Sequence, residues 1–350
     1  MDDIETPAVI IDESIADRNI SAFQKYCSKN GLNLRPHIKT HKLPYFAEKQ
    51  LAAGAQGITC QKIGEAEVMA NAGIGDILIT FNIVGAAKLE RLRALSDRIE
   101  RLAVTADNQH TIEGLASAFA NSQRPLNILI ECDTGAGRCG VQSPEEVVEL
   151  AKLVSHSPGL SFDGLMTYPP VAGAAAVNDF MNRSVSALKS ERIKCNIISS
   201  GGSPDMWLAH EQPEATEYRI GTYIYNDRSL VERGVCKFAD CALTVLATVV
   251  STPTPTRSII DAGSKMLTSD LLDLDGYGHV LEHPGIRIAS LSEEHGILHH
   301  DVDTSLSVGD RISIVPNHVC VVSNMVDTVW IKGRTRELTG LAVAARGLVT

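Results

Sequence analysis

Between residue 30 and about residue 220, short apolar runs alternate with amphipathic stretches of helical period, and this alternation restricts the chain to layered α/β folds. The apolar runs lie at 33–38, 57–60, 76–81, 101–105, 126–132, 161–167, 195–200 and 216–219. Helical patterns fill the gaps at 64–72, 86–95, 111–120, 144–156 and 177–189, each with polar or acidic residues near its start. Eight apolar runs with helical patterns between them predict a (β/α)8 TIM-like barrel over residues 8–225. A doubly wound open sheet is the rival, but no GxGxxG follows the first strand. Beyond about residue 225 the texture changes to β-branched runs at 242–251, 257–262, 311–315 and 327–332, broken by Gly, Pro and Asp turns. These predict a mostly-β C-terminal domain over 226–350, which residues 1–7 could also join.

Composition narrows the function classes. A net charge of −10 would repel nucleic acid and anionic membranes, so a small molecule is the expected partner. The eight cysteines form no CxxC pair and read as reduced thiols. The start Met1-Asp2-Asp3-Ile4-Glu5 lacks the basic, apolar character of a signal peptide, and no apolar run has membrane-spanning length, so a cytoplasmic location is expected.

Within the first repeat stands Arg35-Pro36-His37-Ile38-Lys39-Thr40-His41-Lys42, which places Lys39 at a strand's end among four other potentially cationic side chains. Crowding of that kind makes an amine nucleophilic, and a nucleophilic lysine can hold pyridoxal 5'-phosphate (PLP) as a Schiff base. A solvated basic loop is the plain alternative. The loops after the seventh and eighth strands, Ser199-Ser200-Gly201-Gly202-Ser203-Pro204-Asp205 and Arg219-Ile220-Gly221-Thr222-Tyr223-Ile224-Tyr225, combine glycines with hydroxyls where such barrels dock phosphate. A tight turn is the other reading of each. Gln61 after the second strand, Arg138 after the fifth and Tyr168 after the sixth fall at the same end. Arg138 could pair with a ring phenolate or a substrate carboxylate, and Tyr168 could hold the ring or the Schiff base; loop packing is the alternative for both. In the β-rich part, Pro316-Asn317-His318-Val319-Cys320 on a strand would turn His318 and Cys320 to one face, where they could grip a metal ion. The thiolate would favour zinc over manganese or magnesium. Two ordinary buried side chains would look the same. Asp261, Glu294 and His295 read as turn and surface residues.

Taken together, Pro36-His37-Ile38-Lys39-Thr40-His41-Lys42, Thr59-Cys60-Gln61-Lys62, Glu65-Ala66-Glu67, Ser200-Gly201-Gly202-Ser203, Gly221-Thr222-Tyr223, Tyr225-Asn226-Asp227, Ser292-Glu293-Glu294-His295-Gly296 and Pro316-Asn317-His318-Val319-Cys320 resemble the D-threonine aldolase and metal-dependent D-serine dehydratase branch of the fold-type III PLP enzymes. The resemblance runs over almost the whole chain. It implies an alanine racemase-like barrel with a C-terminal β domain, usually a homodimer with shared active sites. It also implies that Lys39 carries PLP, that Gly202, Ser203, Gly221, Thr222 and Tyr225 lie near its phosphate, and that His318 and Cys320 bind a divalent cation. Alanine racemases lack the His-x-Cys pair, and their second-subunit catalytic tyrosine has no equivalent here. The expected reaction is retro-aldol cleavage of a D-β-hydroxy-α-amino acid to glycine and an aldehyde. Dehydration of D-serine or 3-hydroxy-D-aspartate is the alternative, and a noncatalytic PLP carrier a third.

Overall fold

The computed structural model describes residues 4–302, 304, 306–335 and 337–350, so part of the amino-terminal stretch read above, residues 1–3, lies outside it. The chain opens with β1 (Ala8–Asp12) and α1 (Glu13–Lys29), and it divides into two compact units. One contains residues 23–39, 43–221 and 348–350; the other contains residues 4–22, 40–42 and 222–347.

In the first unit, eight parallel strands follow one another around a sheet: β2 (Asn33–Leu34), β3 (Ile58–Cys60), β4 (Asp76–Ile79), β5 (Arg101–Ala106), β6 (Leu126–Cys132), β7 (Leu160–Thr167), β8 (Ile197–Gly201) and β9 (Glu217–Arg219). β2 pairs with β9, and a bridge from His37 to Thr59 joins the β2 segment to β3, which closes the order. Between the strands run α2 (Pro44–Ala52), α3 (Ile63–Asn71), α4 (Ala86–Arg98), α5 (Gln109–Phe119), α6 (Pro144–His156) and α7 (Ala174–Ser190).

The chemistry of α6 shows why these segments are helices. Ser143 accepts the Glu146 amide at 3.2 Å and Pro144 occupies the first turn, where no amide partner is needed. Such a cap contributes about 1 kcal/mol. Val147, Leu150, Ala151 and Val154 then recur at helical spacing and are buried in the barrel core. Near the amino-terminal ends of the strands, the barrel is filled by charge instead of hydrocarbon. Arg35 donates to Glu217 at 2.6 Å and to Asp76 at 2.7 Å, while Arg101 joins Asp76 at 3.1 Å to Asp163 at 2.5 Å.

The second unit is antiparallel for the most part. β10 (Leu243–Thr254), β11 (Arg257–Ile260), β12 (His279–Val280), β13 (Arg287–Leu291), β14 (Gly296–His299) and β15 (Arg311–Val315) form a ring, closed because the long, bulged β10 pairs with both β15 and β11. β1, β16 (Thr328–Lys332) and β17 (Leu338–Ala342) extend the sheet from β10. The short helices α8 (Arg228–Glu232), α9 (Ser264–Leu267) and α10 (Val319–Met325) also belong here.

Two expectations change. Residues 8–22, expected with the barrel, pack in the β-rich unit, because β1 pairs with β10 in the register Ala8↔Leu246 and with β16 in the register Ile10↔Trp330. The segment expected to place His318 and Cys320 on a strand is instead the start of a helix. His318 has extended backbone and precedes α10, whose first turn contains Cys320. Among the described residues, no helix is long and apolar enough to cross a membrane.

Candidate active site

In the barrel unit, Lys39, Gln61, Arg138, Tyr168, Ser200, Gly201, Gly202, Ser203 and Gly221 all fall at or just beyond the carboxyl ends of parallel strands, on the face where such folds place their chemistry. Lys39 is half-buried in a single 3-10 turn, Ile38–Thr40. Of the four cationic side chains expected around it, two have partners elsewhere. Arg35 is 1% exposed and spent on Glu217 and Asp76, and Lys42 donates to the Ala345 carbonyl at 3.4 Å. His37 lies 3.1 Å from Gln61 Oε1 through its Nε2, while the Gln61 amide donates to Thr80 O at 2.7 Å. Gln61 is therefore committed to protein partners, with its backbone amide also capped by Glu65 at 2.8 Å.

Arg138 lies over Tyr168, with the guanidinium 4.6 Å from the ring centroid. Arg138 remains half-exposed and only 3.8 Å from the buried Glu131. Burial raises the Glu131 pKa, against the opposing pull of Arg138 and Arg219. The loop carrying Arg138 is fixed by Asp133, which accepts the Gly135 and Gly137 amides at 2.9 and 3.1 Å.

Around β8 the backbone comes unusually close to its neighbour. A Cβ on Gly201 would sit 2.0 Å from Arg219 O, and Gly202 adopts φ +140° and donates its amide to that same oxygen at 3.1 Å. The Gly202 amide, expected to face a phosphate, is thus already engaged. Ser200 differs: its hydroxyl is buried and has no hydrogen-bond partner among the described residues. Sequence reasoning gave no role to Arg219. It is buried, with Nε donating to Ser199 Oγ at 2.8 Å and a terminal nitrogen to Thr167 O at 2.6 Å, while Ser199 donates to Glu217 at 2.6 Å. That chain ties the charged filling of the barrel to the carboxyl-terminal half of β8.

In the β-rich unit, His318 and Cys320 do come together, their side chains within hydrogen-bonding reach. Asp227, fully buried, accepts His318 Nδ1 at 2.8 Å and the Val319 amide at 3.3 Å through one oxygen; the other accepts Ser229 Oγ at 2.7 Å and the Leu230 amide at 3.1 Å. The imidazole is left to present Nε2. Burial alone would lower the His318 pKa, but Cys320 and then Asp227 outweigh it and raise it to about 11. Thr40 and Thr222 place their hydroxyls 3.1 and 3.8 Å from Cys320 Sγ. The Tyr225 pKa is raised by burial and by Cys320 nearby. Asp227 escaped sequence reasoning, although an Asp before Arg228-Ser229-Leu230 is a helix N-cap signal. Asp261 is structural: it accepts Thr6 Oγ1 at 2.6 Å and the Thr248 amide at 2.8 Å. Glu294 pairs with Lys265, and His295 is exposed.

Residues 11–229 match the model of the alanine racemase N-terminal domain, and residues 242–331 match a serine dehydratase domain. The D-threonine aldolase of an Arthrobacter species is 32% identical over 93% of this chain and 88% of its own. The chain belongs to the D-threonine aldolase and D-serine dehydratase family of fold-type III PLP enzymes. Two solved members of that family superpose closely. D-threonine aldolase from Filomicrobium marinum has a TM-score of 0.92 at 31% identity, covering 99% of this chain and 97% of that one. D-threo-3-hydroxyaspartate dehydratase from Delftia sp. HT23 has a TM-score of 0.90 at 27% identity, covering 97% of each. A D-threo-3-hydroxyaspartate dehydratase has also been solved as a His→Ala mutant and, two positions further on, as a Cys→Ala mutant in the metal-free form.

The family implies PLP, and the residues present fit it. The Ser200 hydroxyl is buried with no partner among the described residues, Lys39 is a half-buried lysine, and Arg138 is a half-exposed cation whose ion pair with Glu131 is long, at 3.8 Å. A divalent metal also fits the His318–Cys320 donor pair, whose imidazole is oriented by Asp227. Among the described residues, no group of three or more His, Cys, Asp or Glu forms a metal cluster, so the remaining ligands would be water or substrate.

Proposed function

We propose that this protein is a PLP- and divalent-metal-dependent lyase that cleaves D-threonine-like β-hydroxy-α-amino acids to glycine and an aldehyde. The observation that carries the reading is end-to-end similarity to D-threonine aldolases at both the sequence and the fold level. Lys39 would hold PLP covalently, with Ser200, Ser203 and Thr222 hydroxyls and the Gly201, Gly202, Gly221 and Tyr225 segments around its phosphate. Gln61 and Tyr168 would lie along the ring. His318 and Cys320 would hold the metal. When bound, PLP supplies an electron-accepting ring for the pair left on Cα as a bond breaks, and the metal supplies Lewis acidity to the β-hydroxyl.

The chain's own groups account for the rest. Arg138, stacked on Tyr168 and only weakly paired, can receive a carboxylate and thereby choose which Cα bond is aligned for cleavage. The Lys39 amine, once displaced by substrate, can return a proton to Cα to give glycine. Asp227 fixes the imidazole tautomer that faces the metal.

One observation favours a second reading, dehydration of D-serine or 3-hydroxy-D-aspartate. The His and Cys mutated in the solved D-threo-3-hydroxyaspartate dehydratase variants stand two residues apart, as do His318 and Cys320. Lys39 would then remove the Cα proton instead of supplying it. Incubation with D-threonine, D-serine and 3-hydroxy-D-aspartate, with and without zinc or manganese, separates the two. Glycine with an aldehyde is the expected result; a 2-oxo acid with ammonia assigns the dehydratase, and no turnover with metal supplied leaves a PLP carrier. A shared-site homodimer is proposed from the family resemblance, and sedimentation at micromolar concentration checks it.

A further inference from the structure

We propose that His37 is the positioning residue for Lys39, a neutral imidazole that holds the Lys39 backbone amide on Nδ1 while Gln61 fixes its Nε2–H. This deepens the reading of Lys39 as the PLP-bearing lysine and rests on it. The argument begins at the barrel seam. His37 donates its amide to Ile220 O at 2.8 Å, forms the bridge to Thr59, and is flanked by the Thr59 amide on Pro36 O at 2.8 Å. Its backbone is therefore held by strands on both sides.

The side chain then has its proton assigned by its neighbours. Gln61 donates Nε2 to Thr80 O at 2.7 Å, which turns Oε1, an acceptor only, toward His37 Nε2 at 3.1 Å. Nε2 must carry the hydrogen, and Nδ1 must present a lone pair. The Lys39 amide points at that lone pair from 3.3 Å. Amides at the start of a helical turn have no partner within the turn, so the imidazole supplies the one this short element lacks. Gln61 thus selects the tautomer, and the Nδ1 acceptor that this leaves on His37 holds the Lys39 amide and with it the Cα of Lys39. An error of about 1 Å in the placement of a reacting group can cost about a hundredfold in rate.

Two substitutions divide the imidazole into its halves. His37→Asn keeps an acceptor near the Nδ1 position and cannot reach Gln61; His37→Gln reaches Gln61 and loses the acceptor for Lys39. The apoprotein is mixed with PLP, quenched with borohydride at intervals, and label on the Lys39 peptide is measured by mass spectrometry. His37→Asn should label within about threefold of the wild-type rate, whereas His37→Gln and His37→Ala should slow at least about tenfold. A purely structural role would make Asn and Gln equally slow or equally fast, which overturns the proposal. Should the variants not fold, the ring 15N shifts of His37 in the wild-type protein decide: an Nε2-protonated neutral ring is expected, and an Nδ1-protonated ring sinks it. Wild-type protein that takes no label on Lys39 refutes the cofactor reading itself and removes this inference with it. Labelled wild type with uniform variants refutes only the role of His37.

Discussion

Asp227 shows how one buried carboxylate can serve two purposes, capping α8 with one oxygen and orienting His318 with the other. Asp227→Asn keeps a cap acceptor but replaces a carboxylate with an amide at Nδ1, so zinc affinity should fall about 10- to 100-fold with PLP uptake intact. Chelator competition measures this, and unchanged affinity would remove Asp227 from the metal's support. Cys320→Ala should likewise spare the visible absorbance of the PLP-loaded protein and abolish metal-stimulated turnover. At this scale Lys39 and the His318–Cys320 pair were candidates in the sequence because their local motifs stand out. The sequence concealed Asp227 because the contact with His318 spans 91 positions, and it gave no sign of the hydrogen bonds that link His37 to Gln61 and Gln61 to Thr80.

The barrel's strands and five of its helices were legible because buried β runs and amphipathic helices each carry their own period. The α10 segment was not. Val319-Cys320-Val321-Val322 has β-branched strand character, yet Pro316 ends β15 and Asp227 receives the Val319 amide, so a helix begins instead. The charged filling of the barrel makes a prediction at the level of its strands. Arg35 and Glu217 are 1% and 3% exposed, so Arg35→Met strands a buried carboxylate and should cost about 3–5 kcal/mol in urea unfolding. A loss under about 1 kcal/mol would mean that water or Arg101 replaces the lost cation. The Asp133 loop adds a pH signature. Burial pushes the Asp133 carboxyl up, but the Gly135 and Gly137 amides and Gln142 more than offset it, leaving it below the usual range. A depressed carboxyl stabilises its loop above about pH 3.9, the ordinary aspartate value, and loses that effect as pH falls through the lower folded value. Asp133→Ala should therefore raise KM, through a looser Arg138, at neutral pH and erase this acid-side dependence of loop protection in hydrogen exchange.

For the molecule as a whole, β1 was the element that sequence placed in the wrong unit. A strand declares its own period but not its sheet, and its partners Leu246 and Trp330 lie hundreds of residues downstream. The assignment of PLP to the barrel can be tested through stability without measuring turnover. A ligand that binds only the folded state at 100 times its dissociation constant adds about 2.7 kcal/mol. For a chain of 350 residues that corresponds to a rise of roughly 3–8 °C in the barrel's transition. Differential scanning calorimetry of apoprotein with and without PLP should show this rise in wild type and a smaller one in Lys39→Ala, where the covalent link is lost and only the phosphate and ring contacts remain. Equal shifts in both proteins would place the coenzyme somewhere other than Lys39, and an unmoved transition at saturating PLP would mean that the barrel does not bind it.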